Sequence, residues 1–212
     1  MIKVPILIEA FHQIERKMIF KDDMITLCED DKMPSCGALS YMHSGLKVTI
    51  EDLCNLMIIL SDNTAANILI KHLGIDNVNG YMHELGLKNT ILGRLLFDEE
   101  ADKRGARNII SANDVGILFE LMWQGKLVSP AASKNMLDIL KLQQLNHKIP
   151  ARLGEELIIA HKTGEDAGIT HDAGIIYSSK PFILCVLSEN TDVVETNGFI
   201  SALAYQAYLE NI

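Results

Sequence analysis

The hydrophobic period of this chain changes character once, at Pro150, and that switch limits what it can fold into. Before Pro150, apolar residues recur every three or four positions, the spacing of helices with one buried face. After it come short apolar runs, Leu157 to Ala160, Ala173 to Tyr177 and Phe182 to Leu187, separated by Gly, Asp, Ser and Pro. Such runs read as strands of an antiparallel sheet. A last helix is predicted over roughly Gly198 to Leu209, with Phe199, Leu203 and Ala207 facing inward. The expected class is α/β of the α+β type, an antiparallel sheet flanked by helices plus an all-helical lobe. One domain over residues 1–212 is expected, with a helical lobe over about 1–150 and a sheet-containing part over about 151–212.

Local signals place the helices. Leu7, Phe11, Ile14 and Met18 share a helical face that begins close to Met1, since Pro5 is tolerable only near a helix start. Thr49 to Asp52 forms a capping box ahead of Leu53, Leu56, Met57 and Leu60. Ser61-Asp62-Asn63-Thr64 then interrupts the apolar pattern, because four short polar side chains compete for backbone hydrogen bonds. Helix resumes from Ala65 to Leu73 with Gly74 as its stop, and Asp76 is expected to cap a further short helix to Leu85. Thr90 to Asn108 reads as a long irregular loop. Ser111 to Asp114 is a second capping box ahead of Val115, Leu118, Phe119 and Met122, and Ser129-Pro130 starts another helix.

Composition narrows the partners. With 19 Lys and Arg against 28 Asp and Glu the net charge is -9, which disfavours nucleic acid and anionic membranes. An anionic substrate would need a local cationic pocket. Apolar stretches such as Leu56 to Leu60 are far too short for a membrane span. Glu9 and Glu15 precede any cleavage-like site, so a cytoplasmic location is expected for the chain as given. Cys28, Cys36, Cys54 and Cys185 lack zinc spacing and are expected as free thiols. The histidines show no metal-ligand pairing, and neither a metal nor a cofactor is expected.

Three groups stand out: Lys3 at a helix start, Ser61-Asp62-Asn63 at the helix break, and Lys162-Thr163-Gly164 leaving the first predicted strand. Each alone is weak, but S-x-x-K, S-D-N and K-T-G form the signature set of class A β-lactamases and penicillin-binding proteins. The chain resembles that family beyond the motifs. Lys3 to Phe11 is similar to its core helix just after the nucleophile, and Val48 to Asn67 to the segment carrying its second motif. Gly105 to Met122 and His161 to Tyr177 extend the likeness towards the C-terminus. The resemblance implies a serine hydrolase transferring acyl groups from β-lactam or D-alanyl peptide amides, with a small-molecule substrate and no cofactor. Lys3 and Ser61 would be catalytic, while Asn63, Lys162, Thr163, Gly164 and Glu165 would bind substrate.

The chemistry suits those residue types. A neutral Lys3, its pKa lowered by desolvation and by Lys162, serves as base, and the Ser61 hydroxyl can relay a proton. Asn63 can bond a peptide-like side chain, and Lys162 with Thr163 seats a carboxylate. Gly164 admits a ligand to the backbone, and the resemblance implies an oxyanion-hole N–H at Glu165. Two departures qualify the match. The family's nucleophilic Ser would stand immediately upstream of Met1, and an N-terminal helix and two strands would precede it. A truncated, inactive chain is therefore expected, and cytoplasmic as given, although family members are usually extracytoplasmic. Leu96 stands where a deacylating Glu is expected, with Glu99 and Glu100 nearby as solvated loop charges. Without the two strands, Phe182 to Leu187 would be an exposed sheet edge, predicting a homodimer or partner-strand pairing. A non-catalytic peptide or cell-wall-fragment binding module, and a serine-type glutaminase or esterase, are the alternatives.

Overall fold

Local capping chemistry sets the element boundaries in a computed structural model that describes residues 1–212. Contacts divide the chain into two compact units, Ile2–Ile110 and Ser111–Ile212 together with Met1. No helix is long and apolar enough to cross a membrane.

The first unit holds α1 (Lys3–Glu15), a ribbon of β1 (Met24–Thr26) and β2 (Lys47–Thr49), then α2 (Ile50–Ile59), α3 (Asn63–Leu73) and α4 (Ile75–Glu84). Next come β3 (Ile91–Leu92), α5 (Glu99–Lys103) and β4 (Asn108–Ile109), with β3 and β4 paired antiparallel. The capping box predicted at Thr49 forms, with reciprocal bonds to Asp52 of 3.0 and 2.9 Å. α1 packs on α2, α3 and α4 and is buried on nearly all sides, including Lys3, Glu9 and Gln13. Those polar groups are satisfied inside: Gln13 donates to Glu9 at 2.8 Å and to the Leu73 carbonyl at 3.0 Å.

Three expectations are corrected here. α1 stops at Glu15, because Lys17 takes a left-handed φ of 58°, so Met18 lies past its end and is exposed. α4 starts from Gly74 without a side-chain cap, and Asp76 sits inside its first turn. The stretch from Thr90 to Asn108 is built rather than irregular. Asn79 clamps Leu92 through two bonds of 2.8 and 2.9 Å, and Glu99 and Glu100 belong to α5.

The second unit contains α6 (Ala112–Trp123), α7 (Pro130–Leu140), β5 (Ile159–Asp166), β6 (Ile169–Ile176), β7 (Phe182–Leu187) and α8 (Val193–Glu210). Ser111 and Ser129 accept from Asp114 N and Ala132 N, capping α6 and α7 as the sequence predicts. The sheet is antiparallel in the order β5-β6-β7, with Ile159 opposite Ile176 and Asp166 opposite Ile169. β5 begins two residues later than predicted and runs on through Lys162, Thr163 and Gly164, which lie within the strand. Ladder bonds to β6 hold these polar residues extended, whereas hydrophobicity marks only the apolar start. α6 covers the face of β7 that carries Cys185, since a Cβ on Gly116 would stand 3.7 Å from its sulfur. Phe182, Leu184 and Val186 pack instead with Ile200 and Ala204 of α8. The inward face of α8 is thus Ile200, Ser201 and Ala204, while Phe199 and Leu203 are 59% and 36% exposed, contrary to the predicted face. Both faces of α8 are apolar, so hydrophobic spacing alone does not select between them.

Candidate active site

The polar break between α2 and α3 has a structural cause. α2 ends at Ile59, Ser61 takes a left-handed φ of 54°, and Asp62 caps α3 through Ala65 N at 2.9 Å. The second oxygen of Asp62 accepts from Ala38 N at 2.6 Å and Leu39 N at 2.9 Å. One buried carboxylate therefore organises both the helix start and the neighbouring loop, as expected of a charged acceptor taking backbone N–H groups. Gly37 makes that approach possible: it has φ +119°, and a Cβ there would stand 2.3 Å from the Asp62 carboxyl. Asn63 is fixed on the same loop, its backbone N–H donating to Cys36 O at 3.1 Å and its amide to Pro34 O at 3.1 Å.

Into this turn reaches Lys3 from the first turn of α1. Its ammonium donates to the Ser61 carbonyl, to Ser61 Oγ at 3.0 Å and to Asn63 Oδ1 at 2.7 Å. Three acceptors match the three N–H bonds of an ammonium. Burial lowers the Lys3 pKa to about 8, against the opposing pull of Cys36 and Asp62. Burial, not a neighbouring cation, is the cause. Lys3, Ser61 and Asn63 thus form one hydrogen-bonded cluster inside the first unit, a base poised near neutrality against a hydroxyl and an amide.

Lys162, Thr163, Gly164 and Glu165 lie consecutively on β5 in the second unit. Lys162 is fully buried and donates to the Thr163 carbonyl at 2.7 Å, and Thr163 is buried beside it. Gly164 has close company: a Cβ there would meet Met1 N at 2.8 Å and His171 Cδ2 at 3.2 Å. Burial pushes Glu165 up, but Lys148 at 3.1 Å and His147 at 3.5 Å outweigh it and hold the carboxyl below its usual range. His161 and His171 are both satisfied. His161 bonds Asp172 at 2.9 Å and Asn146 at 3.1 Å, while Asp172 also accepts from Ile149 N at 3.0 Å. Burial, then the terminal amine and Lys148, lower the His171 pKa to about 4.

Two supporting residues carry no signal in the sequence. Lys148 is fully buried and holds the Gly164 and His171 carbonyls at 3.0 and 3.3 Å. It thereby pins the strand that follows Lys162 and Thr163. Nothing in Asn146-His-Lys-Ile-Pro150 distinguishes this lysine from a solvated loop charge. Asn67 of α3 bonds both the N–H and the carbonyl of Leu96, at 2.8 and 2.9 Å, fixing the position where the resemblance implies a glutamate. Glu99 and Glu100 are exposed on α5, and Glu100 pairs with Lys103 at 2.8 Å.

Comparison with known proteins gives a consistent answer. The profile of the Beta-lactamase enzyme family matches residues 1–209. A beta-lactamase of Mycobacterium tuberculosis is 25% identical over 200 residues, which cover 88% of this chain and 63% of that protein. The chain therefore spans less than two thirds of the length of the curated relatives it matches. Among solved structures, a beta-lactamase from Sphaerobacter thermophilus superposes with a TM-score of 0.91 at 28% identity, covering 99% of this chain and 81% of its own. PBP-A gives 0.88 at 28% identity, covering 99% and 78%. A PBP-A mutant with glutamate in place of a leucine was solved as an acyl-enzyme complex with penicillin G.

Proposed function

Because the chain belongs to the beta-lactamase enzyme family, we propose that it carries the proton-handling and substrate-binding residues of a serine hydrolase acting on β-lactam or D-alanyl peptide amides. The grip of Ser61 and Asn63 on the Lys3 ammonium carries this reading. With a pKa of about 8, roughly one Lys3 in ten is neutral at pH 7, and such an amine can take a proton. Lys3 removes the proton of an attacking hydroxyl as the new C–O bond forms and the amide carbonyl becomes an alkoxide. Ser61 then relays that proton to the departing nitrogen as the C–N bond breaks, leaving an acyl ester. One N–H of the Asn63 amide is spent on Pro34 O, which leaves the other for a substrate's peptide-like group. Lys162 and Thr163 receive the substrate carboxylate, Gly164 leaves room along the strand, and the N–H of Glu165 faces the developing oxyanion.

Leu96, held by Asn67, favours a second reading, a non-catalytic module that binds peptides or cell-wall fragments. Calorimetry separates the two: the module should prefer a D-alanyl dipeptide to a β-lactam, and Asn63→Ala should weaken either ligand about tenfold.

A further inference from the structure

Glu165 puts an acid beside the seat that Lys162 and Thr163 offer on β5. Two residues apart on one strand, Thr163 and Glu165 turn their side chains to the same face, about 7 Å from each other. Asp172 of β6 lies opposite Thr163 in register, but it is fully buried and both its oxygens are engaged, by His161 at 2.9 Å and Ile149 N at 3.0 Å. Lys148 is equally enclosed. Its three N–H bonds go to the Gly164 carbonyl at 3.0 Å, the His171 carbonyl at 3.3 Å and Glu165 Oε2 at 3.1 Å, which leaves Lys148 no donor for a ligand.

Glu165 differs from both. Its side chain is half exposed, and Lys148 and His147 reach the same oxygen, Oε2, so Oε1 remains to accept from a ligand. Burial works against ionisation here, and the two neighbours outweigh it, so Glu165 is an anion at neutral pH. A ligand carboxylate seated at Thr163 therefore has a fixed negative charge next to it. A second acid on the same ligand would be repelled there, whereas an ammonium or N–H group would be accepted by Oε1. At this exposure, one such charge contact changes affinity by up to about fivefold in either direction.

Resting on the reading of Lys162 and Thr163 as the carboxylate seat, we propose that the Glu165 side chain selects the ligand's charge: it admits a peptide with a cationic or N–H donor group beside its terminal carboxylate and rejects one with a second acid there. Three probes, N-acetyl-D-alanyl peptides ending in D-lysine, D-alanine or D-glutamate, differ only in that group. Calorimetry at low salt should rank them in that order, with the lysine peptide about tenfold tighter than the glutamate peptide. Glu165→Gln keeps an acceptor for Lys148 and should bring all three within about twofold, chiefly by tightening the glutamate peptide. Its melting curve checks that the strand is kept. Equal affinities in the wild-type protein overturn the proposal without any variant, and so does an unchanged ranking in a folded E165Q. The seat is tested separately by Thr163→Val, which should weaken all three peptides alike. If it weakens none, or if no peptide binds the wild-type protein, the carboxylate seat fails and the selection by Glu165 falls with it.

Discussion

At Lys3, desolvation favours the neutral amine while Cys36 and Asp62 favour the ammonium, and desolvation wins. The consequence for stability has a definite sign. Between about pH 8, where the folded lysine titrates, and 10.5, where the unfolded one does, the unfolded chain holds a proton that the folded chain lacks. The stability contributed by this site therefore rises with pH across that window, by about 3 kcal/mol, because each pH step between the two titrations is worth about 1.4 kcal/mol. Buried thiols act in the opposite direction above pH 9, but they cancel when wild type is compared with Lys3→Met. Urea unfolding of the two proteins should show wild type gaining on the variant from pH 8 to 10.5. A constant difference would mean that the lysine titrates as an exposed one does. The types of residue at this site are legible from Ser61-Asp62-Asn63, because short polar side chains break a helix by local chemistry. The desolvation of Lys3 is required by the chemistry of a neutral base, but position three of a sequence by itself reads as solvated, so the burial itself comes from residues brought in by the fold.

Helix starts follow closely from the sequence because an N-cap is a contact within three or four residues, as at Thr49, Ser111 and Ser129. Strand extent and helix facing depend on distant partners, and there the sequence misleads. β5 persists through its polar half because β6 supplies the ladder, and α8 turns Ile200 rather than Phe199 towards the sheet. That facing predicts an asymmetry. Ile200→Ala should cost about 2–4 kcal/mol in thermal or urea unfolding, the range for truncating a buried aliphatic side chain. Phe199→Ala should cost under about 1 kcal/mol, and a larger loss there would mean that the exposed face is covered in solution.

Across the whole molecule the four cysteines divide by burial. Cys28 and Cys36 are exposed, Cys54 is fully enclosed, and Cys185 lies partly covered between β7 and α6. Burial pushes the Cys54 thiol up to about 12 and Cys185 up to about 11, so neither forms a thiolate near neutral pH. Titration with a disulfide reagent at pH 8 should consume two thiols quickly in the native protein and all four after denaturation. Fast reaction of a third would show that β7 opens. The sequence by itself determined the class of fold, the helix caps and the identity of the motif residues, because these rest on periodicity and on contacts a few residues apart. Only the tertiary structure decided which face of α8 is buried, how far β5 extends, and that Lys3 and Lys148 are enclosed. Each of those depends on groups that chain folding brings from far along the sequence, and burial, the largest influence on a charged side chain, is set by all of them together.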